Sequence, residues 1–376
     1  MTEQIKPLIR LYRPGDEEQI VKLLIDVFGQ WPRFDIPCSA VEHWKWKFID
    51  NPANKEIYPH TVAEIGGEIV GVTHGMMFYN KIGQGRYYCE KAVDVAVSSK
   101  HRGLGIFTKI NSYKNEVLRK QGQDFDYSLT INPILVNRTR RNVEPELKFP
   151  QPLKYLVKID NIDMYFKNYV KKKDSMKKDL LKTAVYGSKT INKIATIGVK
   201  APQLKGVSFK EITRFDESIE KFYEKIKPHY NFVVEKTMRH LNWRYCDKRG
   251  GDFKVWIAEE NSDIVGFLVL RINKIDPGHP VGFIMDLLSL NGRDDVAENF
   301  IEMAIDYFDE HGVGVVYAQV IGGHPYEVLF GRYGLLDSRA KPYLVYRAIN
   351  LGDDLERFVK SPASMLHYPY GEGDAI

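Results

Sequence analysis

Along the first 131 residues, apolar and polar positions group into runs that predict strands and helices in turn. Ile9 to Asp16 reads as a short strand ending at a turn, and Asp16 stands where it can cap a helix over Glu17 to Phe28. Thr61 to Ile65 and Glu68 to Thr73 are β-rich runs about Gly66-Gly67, the pattern of a hairpin. A third run, Tyr87 to Val97, enters a basic turn. Beyond the turn Ile106, Ile110, Val117 and Leu118 fall close to one face of a helix, and Asp126 to Ile131 is a further strand.

The turn itself, Ser98-Ser99-Lys100-His101-Arg102-Gly103-Leu104-Gly105, has the layout of a phosphate cradle. A helix start leaves several backbone N–H groups without partners and carries the positive end of the helix dipole, so an anion placed there satisfies both. Gly103 and Gly105 let the backbone approach closely, and Lys100 and Arg102 supply positive charge. No GxxxxGK[ST] occurs, and no GxGxxG follows a strand with an acidic residue about 20 positions on. By itself, a glycine pair here also fits a plain tight strand-to-helix connection.

What remains, Val-Ala-Val-Ser followed by Arg-x-x-Gly-x-Phe, resembles the acyl-coenzyme A site of the GNAT superfamily of N-acyltransferases, whose usual pattern is Gln/Arg-x-x-Gly-x-Gly/Ala after a strand. Arg102 and Gly105 match it, whereas Phe107 replaces the third small residue. The order of the flanking elements also matches. The resemblance implies that Val95, Ala96, Val97, Lys100, His101, Arg102, Gly103, Leu104, Gly105, Ile106 and Phe107 hold acetyl-coenzyme A, joined by Asn137 and Arg138 of a following helix. Arg140 and Arg141 beside it form either a solvated face or a contact to the nucleotide phosphate. Glu144 stands where many members carry a tyrosine acid.

The second half repeats the first in register. His43-Trp44-Lys45-Trp46 recurs as His240-Leu241-Asn242-Trp243, Ala63-Glu64 with Glu68-Ile69-Val70-Gly71 as Ala258-Glu259 with Asp263-Ile264-Val265-Gly266, and Asp94-Val95-Ala96-Val97 as Asp286-Leu287-Leu288-Ser289. Matches in one order indicate an internal duplication. The expected fold class is therefore α/β (mixed α+β): two tandem GNAT-like domains, each a central mixed sheet flanked by helices. The divisions read as 1–160, a lysine-rich helical connector over 161–206, a degenerate second copy over 207–350 and a tail over 351–376. After Leu290 the second copy has Asn291-Gly292-Arg293-Asp294-Asp295, with carboxylates where a pyrophosphate would lie, so it is expected not to bind coenzyme A but to wall the acceptor cleft. Trp44, Trp46 and Trp243 are readable as the lining of an acceptor groove, but because Trp46/Trp243 and His43/His240 recur in both copies the structural reading is preferred.

The chemistry implied is attack of a neutral amine on a thioester, with backbone N–H groups of the central strand stabilising the developing oxyanion. Val97 is the position for that donor, with Val95 against the pantetheine arm. A base must take the amine proton; Glu90 and Asp94, four apart on a strand and so expected on one face, are the candidates, each also readable as a surface ion paired with Lys91 or Arg86. Tyr127 is the candidate acid, or a packing residue. Some two-domain members of the superfamily return their C-terminus to the active site and use its carboxylate as the base, so the resemblance makes the carboxylate of Ile376 a further candidate, against a frayed terminus as the plain reading.

Composition limits the alternatives. With 376 residues, 44% hydrophobic and 27% charged, the chain suits two domains, and no apolar run approaches the 18 residues of a membrane span. Cys38, Cys89 and Cys246 fit neither a disulfide framework nor a metal site, so no metal and a cytoplasmic setting are expected. The net charge of +5 is concentrated between Lys167 and Lys193, a segment read as a connector packing on both domains or as a helix touching an anionic membrane surface; no nucleic-acid module accompanies it. The function expected is transfer of acetyl from acetyl-coenzyme A to a small primary amine, with an amino sugar as acceptor. The other readings are a non-catalytic coenzyme A scaffold or sensor and a Fem-like aminoacyl-tRNA-dependent peptidyltransferase.

Overall fold

A computed structural model describes residues 6–130, 147–161, 198–340 and 342–373. Asn137, Arg138, Arg140, Arg141, Glu144, Ile376 and most of the lysine-rich segment lie outside them. The described chain folds around two mixed sheets, as the duplication requires.

The first sheet runs β1 (Leu8–Leu11), β2 (His60–Ile65), β3 (Glu68–Ile82), β4 (Gly85–Val97), β5 (Phe125–Thr130), then β15 (Tyr343–Ala348) and β6 (Leu147–Lys148), with β9 (Phe232–Val234) against the far end of β3. The second runs β14 (Leu336–Asp337), β7 (Leu153–Ile159), β13 (Val315–Ile321), β12 (Val281–Ser289), β11 (Asp263–Asn273), β10 (Phe253–Glu260) and β8 (Val207–Ile212). Strands are thus exchanged in both directions, among them the short β9 of the second copy on β3. β7, from the first copy, pairs β13, and β15, from the second, pairs β5 along its whole length.

Helices α1 (Glu17–Phe28) and α2 (Ala40–Phe48) pack on one face of the first sheet and α3 (Ile106–Lys120) on the other. Asp16 precedes α1 but does not cap it: its carboxylate is turned to the Arg10 guanidinium, from which it accepts at 2.6 and 2.9 Å, and to the Arg13 amide, rather than to the helix amides. α2 instead carries a full capping box, Ser39 with Glu42. The glycine repeated in both copies has one job. A Cβ on Gly71 would come within 2.7 Å of Ile106, and one on Gly266 within 3.0 Å of Phe300, so each glycine lets a helix lie close on its sheet. Phe300 belongs to α6 (Asp294–Glu310), and α4 (Ser218–Ile226), α5 (Met238–Leu241) and α7 (Pro325–Arg332) complete the second half.

One apolar core crosses between the halves, joining Leu24, Trp44, Trp46 and Val93 of the first to Phe215, Trp243, Phe267 and Met285 of the second. After α8 (Asp354–Val359), the tail enters this junction, with Leu366, Tyr368 and Glu372 buried.

Candidate active site at the open edge of β4

β4 and β5 are parallel partners only at Cys89–Phe125, Glu90–Asp126 and Lys91–Tyr127. Beyond that vertex they part, so among the described residues the edge of β4 from Ala92 to Val97 has no strand beside it on the β5 side. Ser98 N–H donates to Val70 O, which by alternation turns the Val97 N–H, and that of Val95, to the open edge. Val95 and Val97 are half-buried there.

The edge leads to the glycine turn. Gly103 (φ 86°) and Gly105 (φ 69°) adopt left-handed conformations, and nothing lies within 4 Å of where their Cβ atoms would be. Gly105 precedes α3 without a side-chain cap, so among the described residues no side chain satisfies the first amides of the helix. Lys100, Arg102, Leu104 and Phe107 are exposed around it, Ile106 is anchored in the core, and His101 is half-buried. A pyrophosphate fits such a turn: donors, dipole and positive side chains all address one open space. Leu104 and Phe107, 43% and 41% exposed, add apolar surface at its rim.

The two carboxylates of β4 do not share a face. A bulge interrupts the β3–β4 ladder between Val72 and His74, and Asp94 takes φ 46° within it. That extra residue reverses the alternation. Glu90 therefore points under α3, where Lys114 binds one oxygen and Gln123 donates to the other at 3.0 Å, while Asp94 points toward α2 and pairs with Lys47 at 2.8 Å. His74 holds the bulge: its Nε2 accepts from the Trp44 indole at 3.0 Å, so its Nδ1 donates to Asp94 O at 2.9 Å. Burial pushes His74 down to about 3, which keeps it neutral in this role. Neither carboxylate is a free base. Tyr127 is 1% exposed in the aromatic layer with Phe125, Phe232 and Tyr368, and burial pushes its hydroxyl well above the ordinary value.

The sequence reading missed how the tail is held. Gln319 donates to Tyr368 O and Pro369 O at 3.0 and 2.9 Å, Arg244 Nε to Gly371 O at 2.9 Å, and Arg244 Nη2 to Gly373 O at 3.1 Å. Lys91 of β4 reaches Glu372 O. The Glu372 carboxylate bonds Lys236 at 2.8 Å, and Lys236 in turn bonds Asp286 at 2.7 Å, with His367 on the other Asp286 oxygen at 3.0 Å. Lys236 holds Asp286 well below the usual carboxylate range against the cost of burial. Asp286 and Arg244 are the counterparts of Asp94 and Lys47 in the repeat. In the second copy, then, the parting of β12 and β13 beyond Phe283–Tyr317 is filled by the chain's own tail. Arg293 at the start of α6 is bound by Asp295 and Glu260, which places carboxylates at its anion position. The repeat pairs Asp286 with Asp94, which was the available signal; nothing in the sequence marks Gln319 or Lys236.

A parted β4–β5 edge running into a glycine turn and helix start is the architecture of a GNAT acyltransferase fold. Residues 8–136 match the family model described as Acetyltransferase (GNAT) domain, so the chain carries a GNAT domain in its first half. No curated protein matches it by sequence. Among solved structures it resembles a conserved Enterococcus faecalis protein of unknown function described as a probable N-acyltransferase (TM-score 0.61, 13% identity, 93% of this chain and 74% of that one). It also resembles Saccharomyces cerevisiae N-myristoyltransferase with bound myristoyl-CoA (0.58, 10%, 93% and 82%) and a GCN5-related N-acetyltransferase from Anabaena variabilis (0.57, 9%, 92% and 73%). These similarities are of fold. They span both sheets, as tandem GNAT-like units would.

Proposed function

We propose that this chain is a cytoplasmic, acyl-coenzyme A-dependent N-acyltransferase that moves acetyl from acetyl-coenzyme A to a small primary amine, with an amino sugar as the acceptor class. The observation that carries the proposal is the open, positive-φ glycine turn at the end of β4, beyond the point where its ladder with β5 stops. Lys100, Arg102 and the amides from Gly103 to Phe107 hold the pyrophosphate, Val95 the pantetheine arm, and the Val97 N–H the developing oxyanion. Coenzyme A supplies an activated acyl carbon when bound; Asn137 and Arg138 are its further contacts in this reading.

With Glu90 and Asp94 engaged by lysines, the proton of the attacking amine goes to another group. The tail is the reading's choice: Lys91 and Arg244 fix it as far as Gly373 against β4, which supports the carboxylate of Ile376 as that base. The second half serves as the tail's mount and the wall of the acceptor cleft. A non-catalytic scaffold would keep the same turn, and a tRNA-dependent peptidyltransferase would not need it.

Calorimetric titration of acetyl-coenzyme A into the wild type and Gly105→Glu tests the proposal. Glutamate at φ 69° is strained and brings negative charge to the turn, so micromolar binding should vanish in the variant. A well-folded wild type that binds no coenzyme A overturns the reading, and binding without thiol release across an amine panel favours the scaffold.

A further inference from the structure

The bulge in β4 decides which amides face the open edge. Below it, Tyr88 gives its N–H to the Asp124 carboxylate and accepts the Asp124 N–H on its carbonyl, both at 2.9 Å, so the even-numbered residues there face β5. Above it, Ser98 faces β3, where its N–H bonds Val70 O at 2.8 Å, and the odd-numbered Val95 and Val97 face outward. One extra residue has exchanged the two sides. In an unbroken ladder Val95 and Val97 would give their N–H groups to β3, and Asp94 and Ala96 would take the edge.

Asp94 sits in this bulge at φ 46°, a conformation that persists in a non-glycine residue only where its surroundings over-determine it. Helix α2 supplies both restraints. Lys47 binds the Asp94 carboxylate at 2.8 Å, while Trp44, one turn earlier, donates to His74 at 3.0 Å, and His74 donates in turn to Asp94 O at 2.9 Å. His74 is fully buried and stacked on Phe48 at 4.1 Å, with both ring nitrogens engaged.

The repeat supplies a control. The β11–β12 ladder has a register shift at the matching place, between Val269 and Leu270, and the second copy keeps Asp286 for Asp94 and Arg244 for Lys47. Val269, however, stands where His74 does and Leu241 where Trp44 does, and among the described residues none on β12 has a positive φ. Of the two halves, only the one with the glycine turn has the Trp44–His74 clamp, which a requirement of the fold alone would place in both.

Resting on the coenzyme A reading above, we propose that His74, its tautomer fixed by Trp44, is a positioning residue for acyl transfer: it locks the bulge that turns the Val95 and Val97 N–H groups toward the pantetheine arm and the thioester oxygen. Donors fixed in this way need no rearrangement as charge develops on that oxygen.

The test compares His74→Asn with His74→Gln in the full chain. The asparagine amide reaches the place of Nδ1 and still donates to Asp94 O; the glutamine amide reaches the place of Nε2 and serves only Trp44. Infrared spectra of acetyl-coenzyme A, isotope-labelled at the thioester carbon, read the carbonyl directly, and calorimetry reads affinity. With the wild type and His74→Asn the bound carbonyl band should move to lower frequency. With His74→Gln it should stay near its free position although coenzyme A still binds at the glycine turn. Should His74→Gln fail to fold, Trp44→Phe, which leaves the tautomer unfixed, is read the same way. Equal bands in His74→Asn and His74→Gln overturn the positioning role alone, and a wild-type band that does not move removes the Val97 contact on which that role depends. Absence of coenzyme A binding by the wild type overturns the acyltransferase reading and this one with it.

Discussion

Trp46 and Trp243 each donate their indole N–H to the other's backbone carbonyl, at 2.9 and 3.0 Å, with the two rings stacked at 5.3 Å and 25°. The contact is reciprocal, as it must be where two related halves meet about a local two-fold axis. Truncating either to alanine removes a large buried ring and orphans a carbonyl, at a cost of about 3–5 kcal/mol. Urea unfolding of both single variants and the double variant should show the double costing clearly less than their sum; strict additivity would mean that the pair does not act as a unit.

Lys114→Met leaves the buried Glu90 carboxylate without its cation and should cost about 3–5 kcal/mol. Adding Glu90→Leu should restore most of that stability. Because Glu90 is sealed under α3, the double variant should, on the proposed function, keep the turnover of the wild type. A folded double variant that is inactive would put Glu90 back into the chemistry.

Among the described residues the Tyr127 hydroxyl is buried with no well-formed hydrogen bond, Asn80 being the polar side chain beside it. Tyr127→Phe removes an unsatisfied group, so stability should hold or rise by about 1 kcal/mol with kcat unchanged. A large fall in kcat with intact coenzyme A affinity would make Tyr127 the acid.

A Cβ on Gly371 would sit 2.1 Å from the Tyr245 hydroxyl oxygen and 2.9 Å from Met285 O. Gly371→Ala should expel the tail, exposing residues 361–373 to limited proteolysis and cutting turnover by roughly a hundredfold through misplacement. Unchanged turnover with a cleavable tail would remove the tail from the active site.

Burial pushes His43, His60 and His74 each down to about 3, against 6.5 for the free side chain. The folded state therefore keeps them neutral while the unfolded chain protonates them as pH falls through 6.5. Stability is whole above pH 6.5 and declines below it, by up to about 2 kcal/mol for each residue by pH 5. Urea midpoints from pH 7.5 to 5 should show this acid limb, and His60→Gln should make it shallower. An identical slope would exclude His60 as a source.

Local patterns carried the first half of the fold well. The hairpin about Gly66-Gly67, the run into the glycine turn and the helix from Ile106 are set by turn chemistry and periodicity within short windows, and they stand where the sequence places them. The strand-exchanged pairing was not legible, because β7 and β15 look like any other strands and their partners lie more than a hundred residues away. Nor was the face of Asp94: a one-residue bulge inverts the alternation on which the Glu90–Asp94 reading relied, and an aspartate with φ 46° has no signature in a strand. The aromatic residues near the C-terminus hint at a docked tail, but the docking itself depends on Gln319, Arg244 and Lys236 converging from the second half, and no local window of sequence contains that convergence.

The exchange of β7 and β15 also dictates an order of assembly. During synthesis the half that bears the glycine turn emerges first, yet its sheet lacks the strand beside β5 until Tyr343–Ala348 has been made. The nascent first half thus waits with an unsatisfied edge, and the sheet that carries the glycine turn is among the last parts of the molecule to be completed.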